Sequence, residues 1–140
     1  MFEKILVAVD GSDHSLHAAR VASSLAKAMN SKALRIVYVY EPIPPYLGEP
    51  NMQEAITARL DESKKILQKA QAAIGDVPGK IETEHLEGSA AEAIIEVAKT
   101  RGSDVIVMGS RGLGKLAGLV LGSTSQKVVS HAPCPVLIVR

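Results

Sequence analysis

Short apolar runs alternate with segments of helical periodicity along the whole chain, and this alternation limits the fold more than any other feature. The runs are too short for helices and are typical of strands buried on both faces. Residues 80–86 differ, because charged and apolar residues alternate there as in a strand exposed on one face. Strands that alternate with helices in this way form a parallel sheet with helices on both faces. We therefore predict one doubly wound α/β domain over residues 1–140, with a Rossmann-like arrangement of five parallel strands and four helices.

The predicted strands cover residues 5–9, 34–40, 80–86, 105–108 and 135–139. The first helix follows its N-cap Ser12, and the second ends at the break of residues 75–79. The third opens on a capping-box pattern from Ser89 to Glu92 and continues to Ala98, and the fourth spans residues 123–130. The second helix is expected to bury one stripe of residues: Met52, Ile56, Leu60, Ser63, Leu67, Ala70 and Ile74. Four prolines in residues 41–50 predict a loop without regular structure before it.

Charge and composition exclude several classes of protein. A formal net charge of +1 and an aromatic content of 3% give neither the basic surface nor the stacking rings of a nucleic-acid-binding protein. No apolar run approaches the roughly 20 residues that a membrane helix requires. The single cysteine, Cys134, agrees with a reducing compartment. We expect a cytoplasmic protein without membrane insertion.

Glycine is concentrated after the fourth predicted strand, because five of the 11 glycines lie between Met108 and Lys127. Glycine permits positive φ and lets a ligand approach the main chain, so this stretch is either a mobile loop or a binding loop. Gly109 to Lys115 resembles a P-loop, but Leu116 follows where Ser or Thr would hold magnesium. A dinucleotide fingerprint beginning at Gly112 has no strand directly before it and too little chain after it. We regard both matches as accidental.

A third spacing fits in full: Gly109, two residues, Gly112, nine residues, then Gly122, Ser123 and Thr124. This is the nucleotide-binding signature of the universal stress protein family, which the chain resembles over essentially all 140 residues. The resemblance also covers the segments KILVAVDGS, VYV, DVIVMGSRG, LGSTSQKVV and CPVLIVR. It implies the ATP-binding branch of the family and a small homodimer whose nucleotide occupancy regulates stress behaviour, through a protein partner.

The resemblance also implies a set of contacts around an adenine nucleotide, which is ATP or else ADP or AMP. Asp10 would meet ribose hydroxyls or a metal, and Val39 would offer backbone groups to the adenine. Gly122 is expected to supply positive φ as well as room for the phosphates, at a helix start that favours anions. The full set is Ala8, Asp10, Val39, Met108, Gly109, Ser110, Arg111, Gly112, Lys115, Gly122, Ser123, Thr124 and Ser125.

The sheet order 3-2-1-4-5 would bring the loops after strands one and four together at the switch point, where such folds bind ligands. No catalytic residues are predicted, because the sequence shows no paired carboxylates, activated nucleophile or reactive cysteine. No resident metal site is predicted, because His14 and His17 have no evident third ligand. Mg²⁺ commonly accompanies nucleoside triphosphates, which leaves a magnesium requirement open. Two alternatives stay open: a slow ATP hydrolase or phosphotransferase with Asp10 as its only candidate base, and a dimeric scaffold without a nucleotide requirement. The apolar last strand, Pro135 to Val139, would lie at a sheet edge and pair with a second copy.

Overall fold

Five parallel strands form one sheet of order β3-β2-β1-β4-β5, which confirms the predicted fold and strand order. The computed structural model describes residues 1–110 and 121–140. The strands are β1 Lys4–Val9, β2 Ala33–Tyr40, β3 Lys80–Glu87, β4 Val105–Gly109 and β5 Val136–Val139. Because β1 lies between β2 and β4, the loops after β1 and β4 start from neighbouring strands.

Four helices connect these strands within the described residues: α1 Asp13–Met29, α2 Asn51–Ile74, α3 Ala90–Arg101 and α4 Ser123–His131. α3 continues three residues beyond the predicted end at Ala98 and stops at Gly102, which takes the left-handed conformation with φ of 65°. The proline-rich loop before α2 was predicted to be irregular, but it contains one 3₁₀ turn at Pro45–Leu47. In residues 1–110 and 121–140, no helix combines the length and apolar character needed to cross a bilayer.

The sheet separates two apolar layers. α1 and α2 cover one face, where Val7, Ile36 and Val107 are fully buried. α3 and α4 cover the other face, where Leu6, Val37 and Ile106 are fully buried. Strands with apolar residues on both faces are what the continuous apolar runs of the sequence predict for the centre of a parallel sheet.

The predicted apolar stripe of α2 is buried only in its second half. Ser63, Leu67, Ala70 and Ile74 are buried, but Ile56 and Leu60 are 37% and 48% exposed. A helix of 24 residues is about 36 Å long, whereas a strand of eight residues spans about 26 Å. α2 is therefore longer than the sheet that it covers. Periodicity alone could not show which part of the helix packs against the sheet.

Candidate functional site

A cleft of about 820 Å³ lies beside the carboxyl ends of β2 and β3, on the face that α3 and α4 cover. This volume is in the range of small-molecule sites, about 300–1,000 Å³. It opens at the carboxyl ends of the strands, where open α/β sheets bind ligands, but it lies beside β2 and β3 and not at the predicted switch point between β1 and β4. The described residues that line it are Val39, Glu41, Pro42, Gly88, Ser89, Ala90, Ala91, Ser123, Thr124 and Lys127.

Two helix N-termini open on this cleft. α3 contributes Ser89, Ala90 and Ala91, and α4 contributes Ser123 and Thr124. Within the part of the chain that the structure describes, no side chain caps the N-terminus of either helix. The first-turn N–H groups of a helix have no intrahelical partner and carry partial positive charge. The cleft is therefore suited to an anion such as phosphate.

The prediction of a capping box at Ser89 is wrong, because the Ser89 side chain makes no capping hydrogen bond. Ser89 does occupy the N-cap position with extended backbone, and its carbonyl accepts from the Ala93 N–H at 2.9 Å. Its hydroxyl makes no capping bond and is instead exposed on the wall of the cleft. The sequence pattern located the helix start correctly but did not determine the orientation of the side chain.

Beneath the cleft lies an apolar cluster to which β1, β2 and β4 each contribute. Ala8, Val39 and Met108 pack in the same cluster on the α3 and α4 face. These three predicted site residues are therefore brought together, although only Val39 lines the cleft itself. Met108 is 5% exposed and belongs to the core beneath the site.

The backbone of Val39 is directed toward the end of β1. On the other side of β2, the Tyr40 carbonyl accepts from the Gly88 N–H at 2.9 Å. Successive carbonyls of a strand point to opposite sides, so the Val39 carbonyl points toward β1. Pairing between the two strands ends at Val9 and Tyr38. The Val39 carbonyl thus extends past the last paired residue of β1, where a donor on a ligand could reach it.

Asp10 forms a closed turn at the start of α1. Its Oδ1 accepts from the Ser12 N–H at 2.9 Å, and its own N–H donates to Ser15 Oγ at 3.2 Å. Ser12 Oγ in turn accepts from the Ser15 N–H at 3.2 Å, which confirms the predicted cap. Asp10 is partly buried, and it is not one of the described residues that line the cleft. One carboxylate oxygen is therefore occupied by the turn.

A set of hydrogen bonds, the Ser110 clasp, joins Ser110 at the end of β4 to the start of α4 and to the end of β5. The Ser110 N–H donates to the Val139 carbonyl and the Gly122 N–H donates to the Ser110 carbonyl, both at 2.8 Å. Ser125 Oγ lies 3.0 Å from the carbonyl oxygens of Ser110 and Gly122. Ser110 and Ser125 are both buried. Among the predicted hydroxyls, Ser123 and Thr124 line the cleft, while the Ser125 hydroxyl donates to the backbone.

Three predicted site residues, Arg111, Gly112 and Lys115, lie outside the described residues. Gly122 has φ of −65° and ψ of 162°, so the expectation that it supplies positive φ is wrong. This is an ordinary extended N-cap conformation, open to any residue. Gly109 ends β4, where its register partner is Val139. Backbone conformation therefore gives no reason for glycine at position 122.

Tyr38 lies on the opposite face of the sheet, among the residues that α1 and α2 cover. Burial and then the nearby Glu62 carboxylate raise the pKa of its hydroxyl. The phenol therefore stays protonated at neutral pH and is no base. Across residues 1–110 and 121–140, no three His, Cys, Asp or Glu side chains cluster closely enough to hold a metal ion.

Sequence reasoning missed most of the cleft wall. The missed residues are Glu41, Pro42, Gly88, Ser89, Ala90, Ala91 and Lys127. The loop after β3 could have been anticipated, because the carboxyl ends of all parallel strands meet at one edge of the sheet. The glycine at position 88 was a further signal in the sequence, because glycine often marks an unusual backbone conformation. Its φ of 147° in the structure is one that few other residues adopt. Lys127 gave no signal, because a helix periodicity does not show which neighbour a surface lysine meets.

Comparison with known proteins places this geometry in one family. The family model described as the universal stress protein family matches residues 1–140. A universal stress protein of Thermus aquaticus is 50% identical over 140 residues, with 100% of both chains covered. The solved structure of the universal stress protein UspA from Lactobacillus plantarum is 30% identical, with a TM-score of 0.86 over 99% of this chain and 98% of that one. A universal stress protein in complex with cAMP is 28% identical, with a TM-score of 0.71 over 99% and 97% of the two chains.

Proposed function

Because this chain belongs to the universal stress protein family, we propose that it binds an adenine nucleotide, in the first place ATP, in the cleft between α3 and α4. The observation that carries the proposal is the pair of helix N-termini without side-chain caps that open on this cleft in the described structure. Two such ends supply several N–H donors and partial positive charge to one anion. A family neighbour crystallised with cAMP supports an adenine nucleotide as the ligand.

The arrangement of the cleft favours one orientation of the nucleotide. Val39, with its carbonyl directed past β1, accepts a hydrogen bond from the exocyclic amine of adenine, which is a donor. Ser123 and Thr124 at the start of α4 bind the phosphates through N–H and hydroxyl groups. Asp10, at the end of the neighbouring strand, accepts from a ribose hydroxyl through the oxygen that its turn leaves available. A bound magnesium ion would be held chiefly by the phosphates.

The function that follows is regulation by nucleotide occupancy, in which the bound and free forms differ in how they engage a protein partner. Asp10 is the candidate base that the sequence offers for the alternative, a hydrolase or phosphotransferase, and its Oδ1 already accepts from the Ser12 N–H at 2.9 Å. We therefore expect any turnover with Mg²⁺ to stay far below about 10 per second, the median for enzymes. A steady-state phosphate-release assay with a rate near that median would favour the enzyme instead.

Identification of the ligand that the protein retains through purification tests the proposal. Mass spectrometry of the extracted ligand, followed by calorimetry of the stripped protein with ATP, ADP, AMP and GTP, should show an adenine nucleotide and a preference for adenine over guanine. A guanine base presents a carbonyl where adenine presents its amine, so it cannot donate to the Val39 carbonyl. Equal affinity for ATP and GTP would contradict the adenine assignment, and no binding of any nucleotide would contradict the whole proposal.

We also propose a homodimer through β5, on the basis of a contrast between the two edges of the sheet. β3 has charged residues along its length, among them Lys80, Glu82 and Glu84. β5 is wholly apolar, and its Leu137 is 39% exposed. An apolar edge strand invites pairing, and an antiparallel contact between two copies closes on itself.

The oligomeric state tests this second proposal. Val136→Lys places a charge in the edge strand and should convert a dimer to a monomer, as seen by light scattering. Thr83→Lys in the other edge strand is the matched control and should leave the dimer unchanged. A native protein that is monomeric at micromolar concentration contradicts the proposed dimer.

A further inference from the structure

Lys127 has a position in the cleft that the proposed nucleotide contacts do not use. It lies on the cleft wall one helical turn after Ser123, at the middle of α4. Its Nζ is 3.3 Å from Glu92 Oε1, in the first turn of α3. This ion pair therefore links the two helices whose N-termini open on the cleft.

Both partners of the ion pair are accessible to a ligand. The Lys127 side chain is 53% exposed and the Glu92 side chain 68% exposed. An ion pair at this exposure is weak, because water screens its charges. A phosphate group that enters the cleft carries more negative charge than the single Glu92 carboxylate. Lys127 can therefore exchange its carboxylate partner for phosphate at little cost.

The charges around the cleft show what this exchange would do. The two helix N-termini supply partial positive charges that are fixed in place. Lys127 supplies a full positive charge on a flexible side chain, and Glu92 neutralises it while the pair is formed. Glu41, which follows β2 on the cleft wall, supplies a negative charge, so Lys127 is the full positive charge among the described residues that line the cleft. Because the charge of the nucleotide rises from AMP to ATP, a mobile cation at this place favours the more phosphorylated forms.

We infer that Lys127 makes the affinity of this site rise with the number of phosphates, and that Glu92 is the counter-ion that it releases. The inference rests on the proposed function, because it concerns the same cleft. Lys127 thus discriminates between ATP, ADP and AMP. Val39 and the helix starts bind the adenine and the α-phosphate, which all three ligands share.

Calorimetry in EDTA tests this role, because Mg²⁺ would otherwise neutralise the phosphates. Adenosine, AMP and ATP are titrated into the wild-type chain and into Lys127→Gln, Lys127→Arg and Lys99→Gln. Lys127→Gln should lose about threefold in affinity for AMP and about tenfold for ATP, with adenosine unchanged. Lys127→Arg keeps the charge and should keep the preference for ATP. Lys99→Gln removes the same charge in the last turn of α3, away from the cleft, and should change nothing.

Glu92→Gln provides the reciprocal test. It frees Lys127 and should raise the affinity for ATP by about threefold, and this gain should disappear when Lys127→Gln is also present. A gain that persists in the double variant, or an affinity loss for adenosine as large as that for ATP, overturns the inference. Unchanged ATP binding in Lys127→Gln overturns it as well, while the nucleotide site still stands. A wild-type chain that binds none of the three ligands overturns both.

Discussion

The starts of α1 and α4 follow neighbouring strands, yet one is closed by side chains and the other is open. At α1, Ser12 Oγ accepts from the Ser15 N–H, and the Asp10 carboxylate accepts from the Ser12 N–H. At α4 the N-cap is Gly122, and no described side chain caps the helix. Both N-caps have extended backbone, with φ of −76° and −65°. The two helix starts therefore differ in their side chains and not in their backbone conformation.

The capped start of α1 contributes to the stability of the fold, whereas the start of α4 has donors that a ligand can use. A cap satisfies first-turn N–H groups within the chain and stabilises the helix. A helix start without a cap leaves the same donors to solvent or to a ligand. The buried hydroxyl that accompanies α4, Ser125, donates instead to the carbonyls of Ser110 and Gly122. It thus stabilises the Ser110 clasp and leaves the helix start open.

Closing the start of α4 should have the largest effect. Gly122→Asp adds a capping carboxylate in a backbone conformation that already suits an N-cap. It should weaken ATP binding by at least about 100-fold, because the carboxylate occupies the donors and repels phosphate. The free energy of unfolding should not decrease. Calorimetry and urea denaturation measure the two effects, and ATP binding within about threefold of wild type would show that phosphate lies elsewhere.

Asp10→Ala should have an intermediate effect, since it removes a ribose contact and also the hydrogen bond to the Ser12 N–H. We expect ATP binding to weaken by about 1–3 kcal/mol, the range for a hydrogen bond that involves a charged group. Asp10→Asn is the control, because its amide oxygen preserves the turn while the charge is lost. If Asp10→Ala leaves the affinity for ATP unchanged in a folded protein, Asp10 has only its structural role.

Ser12→Ala should have the smallest effect on binding and a measurable effect on stability. Loss of this cap should lower the free energy of unfolding by about 1 kcal/mol, as measured by urea denaturation. The affinity for ATP should stay within about twofold of wild type, because α1 contributes none of the described residues that line the cleft. A loss of ATP affinity comparable to that of Gly122→Asp would mean that α1, too, binds phosphate.

The sequence predicted the sheet because each strand has its own local apolar pattern and this pattern recurs along the chain. Continuous apolar runs such as β4, buried at all five positions, predict a central strand without further context. The signature glycines and Ser123 likewise predicted where α4 begins, and Ser123 lines the cleft. The wall formed by Ser89 and Lys127 was not predicted, because side-chain orientation and contacts between α3 and α4 depend on packing. The exposure of Ile56 and Leu60 was missed for the same reason.

The most direct test of the central claim, that the open starts of α3 and α4 bind a nucleotide, is an amide titration by NMR. ATP is added to the stripped, ¹⁵N-labelled protein while backbone N–H resonances are assigned and followed. We predict saturable shifts at Ala90, Ala91, Ser123 and Thr124, with little change at Asp13 to Leu16 in the capped start of α1. Shifts confined to α1, or no saturable shift at the starts of α3 and α4, would contradict the account.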